Sequence, residues 1–196
     1  MPPAIAVPNV MADPGFLWIS TLATVEPTHA SASGGKFTDT VPAAWIPLGA
    51  TTDGSTFSYS TTVSPVRVAE MTDPVKFFTT ERGGSLAFNL ANLTLSNYRR
   101  ALNGGIAAIA ATGTAGQEVT RLGGPPTPGS EVRSQILWES SDGTMRIIAY
   151  QTLQGGEIST AFKKAPDIAA IPCTFNMEVP STGKPFDIIV AGTSRV

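Results

Sequence analysis

The stretch EVRSQILWESSDGTMRIIAYQ, residues Glu131 to Gln151, decides the fold. Val132, Ser134, Ile136 and Trp138 alternate with Glu131, Arg133, Gln135 and Glu139, and only Leu137 breaks the polar set. A period of two residues is the signature of a strand with one face turned to a core. Ser140-Ser141-Asp142-Gly143 follows, and an Asp-Gly pair favours a hairpin because both residues tolerate positive φ. The return segment, Thr144 to Gln151, places Met145, Ile147 and Ala149 on one face. The unit is an antiparallel hairpin, and the chain is expected to be mainly β.

The same grammar extends outward. The 19 glycines and 16 prolines separate short runs rich in Val, Ile, Thr, Phe and Tyr, the pattern of many strands joined by turns. A second hairpin is expected from Val75 to Thr80, turning at Glu81-Arg82-Gly83-Gly84 and returning as Ser85 to Ala91. Further strands are expected at Phe16–Thr24, Ala44–Leu48, Thr56–Ser60, Val66–Met71, Glu157–Phe162, Ile171–Val179 and Phe186–Ala191. One short helix is predicted after Thr94, whose hydroxyl can cap it, with Leu95, Tyr98 and Leu102 on the docking face. Arg99 and Arg100 suit its C-terminal end, and Gly104 supplies a left-handed residue to stop it. Two segments read as loops: residues 26–42, rich in small residues, and the Pro/Gly connector 121–130. The chain reads as a single domain over 1–196, with an N-terminal arm at 1–15 that holds four prolines.

Charge is scarce. Asp, Glu, Lys and Arg make up 14% of the chain, against roughly 25% in an ordinary soluble domain. The first 35 residues carry only Asp13 and Glu26. Such a surface suits a protein that other subunits cover, because interface cores are depleted in charge. The formal net charge of −2, with Arg99-Arg100 and Lys163-Lys164 as isolated pairs, offers no basic patch for phosphates. The N-terminus lacks the basic and apolar regions of a secretory signal, so a soluble, non-secreted protein is expected.

Candidate chemistry is sparse. The only histidine, His29, lies in a stretch of Thr, Ala and Ser and is expected to be an exposed loop residue. Cys173, the only cysteine, alternates with Phe175 and Met177, which places it on the apolar side of a strand, away from any group that would activate its thiol. The acidic residues show no calcium-loop spacing, and Gly113–Gly116 and Gly123-Gly124 lack the lysine of a phosphate loop. Trp18, Trp45 and Trp138 read as packed residues. The expectation is a non-enzymatic protein with no cofactor, no metal and no catalytic residues.

Several local patterns, in order, resemble the tail tube proteins of long-tailed bacteriophages. Trp45-Ile46-Pro47-Leu48-Gly49 with Thr51-Thr52-Asp53-Gly54 is similar to that family's entry into its core. Val66–Met71, Asp73-Pro74-Val75, the strand Ser85–Ala91 and the helix Thr94–Asn103 follow in the family's order. Phe162-Lys163-Lys164, Ala169–Pro172, Thr174-Phe175-Asn176 and the closing Ser181–Phe186 complete the likeness, which spans Trp45 to Val190. The resemblance implies a sandwich or barrel-like core with one helix, built into six-membered rings that stack as the hollow tube of a virion, assembled in the host cytoplasm. The style of the likeness suggests a non-contractile tail. Implied partners are other copies of the chain, a tape measure protein, and tail terminator and distal tail proteins, with DNA passing the lumen unbound.

On that reading, two segments are expected to contact neighbours and to order on assembly. Ser31, Ser33, Gly34, Gly35, Lys36, Phe37 and Asp39 would reach an adjacent ring. Ile5, Val7, Val10 and Met11 of the arm would lie across a neighbouring subunit. The alternatives are another β-rich virion protein, such as a tail terminator or head-decoration subunit, or a glycan-binding or glycan-hydrolysing β-sandwich.

Overall fold

The computed structural model describes residues 15–32, 35–113, 117–124, 127–162, 167–181 and 183–192. The arm residues Ile5, Val7, Val10 and Met11, and Ser33 and Gly34 of the loop, lie outside them. The strands are β1 (Phe16–Thr21), β2 (Ile46–Pro47), β3 (Thr51–Val66) and β4 (Lys76–Leu90), followed by helix α1 (Leu95–Ala101). Four more strands follow: β5 (Ser134–Glu139), β6 (Met145–Gln154), β7 (Ile171–Met177) and β8 (Phe186–Val190). All eight join one antiparallel sheet in the order β2-β1-β5-β6-β7-β4-β3, with β8 also paired to β6. Among the described residues the protein is mainly β with a single short helix.

The sheet curls until its two halves face each other. Leu17 and Ile19 of β1 and Ile136 and Trp138 of β5 share one core with Leu86, Phe88 and Leu90 of β4 and Cys173 and Phe175 of β7. The curl brings unpaired strands together: the rings of Phe57 on β3 and Phe186 on β8 lie 5.0 Å apart, edge to face. The β5–β6 hairpin forms as its sequence predicts. Gly143 takes φ 70°, and the Asp142 carboxylate accepts hydrogen bonds from the Thr144 amide and hydroxyl. Its strands, however, are buried on both faces. Leu137, the apparent break in the alternation, packs with Trp45 and Ile148 in a second core behind the sheet. Trp45 and Val41 pack on that face and Asp39 binds Arg146 beside them, so the polar side expected from the alternation is covered rather than solvated.

The second hairpin is not where the sequence places it. Glu81–Gly84 does not turn; β4 runs unbroken through it, and its partner is β3, reached through a connection from Arg67 to Val75. Neither Gly83 nor Gly84 has positive φ. Gly84 serves a close approach instead, since a Cβ there would stand 2.9 Å from Met177 Sδ on β7. The expected strands Thr56–Ser60 and Val66–Met71 merge into β3 or fall in the connection, and Glu157–Phe162 forms no strand.

Helix α1 begins as predicted, with the Thr94 hydroxyl accepting from the Asn97 amide. Its end and its face differ. Asn103, at φ 55°, is the left-handed residue; the Asn103 amide donates to Arg100 and the Gly104 amide to Arg99, a Schellman closure. Gly104 is needed for space, because a Cβ would meet Arg99 Cγ at 2.9 Å. The fully buried residues are Asn97, Arg100 and Ala101; of the expected docking residues, Tyr98 does pack on the core, Leu102 is half-buried and Leu95 is exposed. Polar ties explain the rotation: Asn97 donates to the Leu48 and Asn92 carbonyls and accepts from Arg100, which also donates to the Ile106 carbonyl.

Candidate interaction surface

The β3–β4 pair is two structures in one. From Gly84 to Leu90, β4 is also bonded to β7 and belongs to the curled sheet. From Lys76 to Gly83 it is bonded to β3 alone. This part is a two-stranded ribbon, and apart from Pro74 every residue from Ser58 to Gly83 is exposed. A β-bulge between Thr62 and Val63 raises its twist.

The pleat divides its side chains. Tyr59, Thr61, Val63 and Pro65 pair with Gly84, Arg82, Thr79 and Phe77, continuing the face that carries Phe57, Leu86 and Phe88 inside the domain. Tyr59, at 46% exposure, still meets the Phe186 ring of β8 edge to face at 5.6 Å. Beyond it, Val63 and Phe77 run out of the core at 51 and 59% exposure, on a face they share with Thr61, Thr79 and Arg82. The other face carries a row of hydroxyls, Ser58, Ser60, Thr62 and Ser64, and ends in Phe78, Val66 and Lys76. The Lys76 ammonium stands 4.9 Å from the centre of the Phe78 ring. Met71, at 58% exposure, and Val68 add apolar surface at the tip. Exposed apolar side chains grouped in this way make the ribbon a candidate interaction surface.

The outer edge of β3 adds backbone to this surface. β3 ends the sheet, and across its 16 residues the only charged side chain is Asp53. Proteins usually blunt such edges with charges, prolines or short strands. Here Pro65 near the far end is the only proline in the strand.

The loop at 26–42 is placed differently. Ser31 is bridged to Phe37, and Gly35 is buried. The Phe37 amide donates 2.8 Å to the Gly143 carbonyl, and the Phe37 ring lies 4.1 Å from the Arg146 guanidinium. Arg146, whose side chain is 1% exposed, donates to both Asp39 carboxylate oxygens at 2.9 and 3.0 Å and to Glu139. Of the loop residues expected to reach outward, Phe37 and Asp39 thus bind their own chain, and Lys36 is exposed. His29 is half-buried in this cluster and not an exposed loop residue. It takes φ 54°, donates its amide to Asp39, and sets Nδ1 3.4 Å from Arg146. Burial first, and Arg146 second, hold its pKa below the usual histidine value. At the loop's start, the Tyr150 hydroxyl meets Glu26 at 2.9 Å and Asp187 at 2.8 Å; burial and these two partners push its pKa well up.

Sequence reasoning missed Arg146. The signal was a long charged side chain between Met145 and Ile147, on a face shared with Ile148 and Tyr150. A mixed face of that kind marks a strand covered on both sides.

Cys173 is buried on β7, and burial raises its thiol pKa to about 12, which suppresses the thiolate. A cavity of about 680 Å³ near the start of β3 is lined by Asp53, Asn89, Ser159 and Asp167 among small and aliphatic residues. It presents acids without an aromatic platform for a sugar ring. Among the described residues, no three His, Cys, Asp or Glu side chains group as metal ligands.

No known protein family matches the sequence. No curated protein matches it either.

Proposed function

We propose that the chain is a structural subunit that works by self-assembly, and that its assembly is the stacked-ring tail tube of a long-tailed phage virion. The observation that carries the first half is the ribbon: a pair of strands whose core-facing side, beyond the Tyr59–Phe186 contact, leaves Val63 and Phe77 exposed with no opposing layer among the described residues. A second copy can supply that layer. A repeating head-to-tail contact of this kind closes into rings or continues as a filament, according to the rotation per subunit. The edge of β3, charged only at Asp53, supports the same reading, because pairing with another copy would remove an exposed edge.

The second half rests on the resemblance spanning Trp45 to Val190. On it, DNA crosses the lumen without being gripped, and the tape measure, terminator and distal tail proteins are the remaining partners. A hydroxyl-rich face and a net acidic chain suit that duty, since a cationic wall would hold phosphates through counterion release.

The test is electron microscopy of concentrated protein beside the double variant Val63→Ser, Phe77→Ser. Wild type is expected to form rings or tubes, and the variant to stay single-copy with an unchanged melting temperature. Tubes from the variant would remove the ribbon from the contact. A wild-type protein that never associates would end the proposal.

A further inference from the structure

The segment 26–42 is held down by a set of ties that converge on one cation. Three elements meet there: the segment itself with Glu26, His29, Phe37 and Asp39, β5 with Glu139, and β6 with Arg146 and Tyr150. From β8, Asp187 faces the same group through Tyr150. The Trp45 indole donates 3.0 Å to the Val25 carbonyl and fixes the segment's root. Beneath lies the second core of Trp45, Leu137 and Ile148.

His29 is the odd member. A guanidinium only donates hydrogen bonds, so Nδ1 must accept, and the neutral ring carries its proton on Nε2. Nε2 is buried without a partner among the described residues. A second proton would therefore enter at Nδ1, where an Arg146 N–H already points. Two donors would then face each other, and two cations would stand side by side. His29 is held in this position by a left-handed backbone that few non-glycine residues adopt.

We propose that the described parts of this segment, residues 26–32 and 35–42, form a proton-sensitive strap: closed over the sheet while His29 is neutral, and released from Arg146 when Nδ1 takes up a proton. Glu26, Asp39 and Asp187 oppose release, because each attracts the imidazolium. Burial and Arg146 favour it. The device works within one copy of the chain and does not depend on assembly.

Residue-resolved hydrogen exchange by NMR on dilute, single-copy protein tests this. The reporters are the amides of Phe37 and Thr38, which bond to Gly143 and Ala30, against the Leu137 and Ile148 amides of the sheet. After correction for intrinsic rates, opening of the strap amides should rise as pH falls from 7.5 to 5.5, by up to about tenfold per pH unit for one coupled proton, while the sheet amides hold. The His29→Asn variant keeps a residue tolerant of positive φ and removes the titration, so its strap should open equally at both pH values. A flat wild-type profile would overturn the proposal, as would a His29→Asn profile identical to wild type. Should the variant fold poorly, a direct titration of the His29 ring shifts decides instead: they must move together with the Phe37 and Thr38 shifts, and separate midpoints would overturn the coupling.

Discussion

The two hairpins of this protein use similar residues for opposite ends. The β5–β6 hairpin is buried on both faces, with one core ahead of it and a second behind. The outer part of the β3–β4 hairpin is buried on neither. Composition does not separate them well, since Tyr59, Val63, Phe77 and Phe78 are as apolar as Ile136, Leu137, Ile147 and Ile148. What separates them is neighbours: β5 and β6 are flanked by β1, β7 and β8, whereas the ribbon pairs only with itself and touches β8 at its root, through Tyr59 and Phe186. An isolated two-stranded hairpin is marginal in water, so a ribbon this apolar is a half-built layer.

Substitution should expose the contrast most strongly in the cores. Leu137→Ala removes a fully buried side chain between Trp45 and Ile148 and is expected to cost about 3–4 kcal/mol in chemical denaturation. Val63→Ala on the ribbon should stay within about 0.5 kcal/mol of wild type in the same assay. Equal losses would mean that the ribbon is packed in the single copy.

The strap provides the next test. Arg146→Met strips Asp39 and Glu139 of their shared cation and should cost about 3 kcal/mol, because partly buried carboxylates are left unpaired. For His29 the sign follows from its direction of shift. A folded pKa below the ordinary 6.5 means that the neutral ring contributes stability in full above that value and loses it as pH falls through the folded pKa. His29→Asn should flatten this part of the wild-type pH profile of thermal stability.

The sequence made the β5–β6 hairpin legible because local chemistry settles it: alternation on both strands and an Asp-Gly turn between them. Thr94 was legible for the same reason, as its cap is a contact three residues long. Glu81–Gly84 misled because two glycines signal a turn and also signal close approach, and only Met177, far along the chain, decides between them. The helix face misled because Asn97 and Arg100 find carbonyl partners in distant segments. Of the surface residues, the strands of the ribbon were expected only in pieces, and the lack of an opposing layer over Val63 and Phe77 is a property of the whole fold. The loop's ties to Arg146 were invisible for a similar reason, since they join residues more than a hundred positions apart.

The smallest expected effect bears on the corrected turn. Gly83→Ala adds a Cβ that meets only Ser60 Oγ at 3.5 Å, on a backbone with no positive φ. It should be neutral or stabilise by about 0.5 kcal/mol, through the unfolded chain. A clear destabilisation would argue for a turn at Glu81–Gly84.

Sedimentation velocity over a wide concentration range tests the central claim most directly. If the uncovered face of the ribbon is completed by further copies of this chain, the sedimenting mass should climb from one copy to closed multiples as concentration rises, and Val63→Ser, Phe77→Ser should hold it at one. A wild-type protein that sediments as one copy at every concentration would contradict the account.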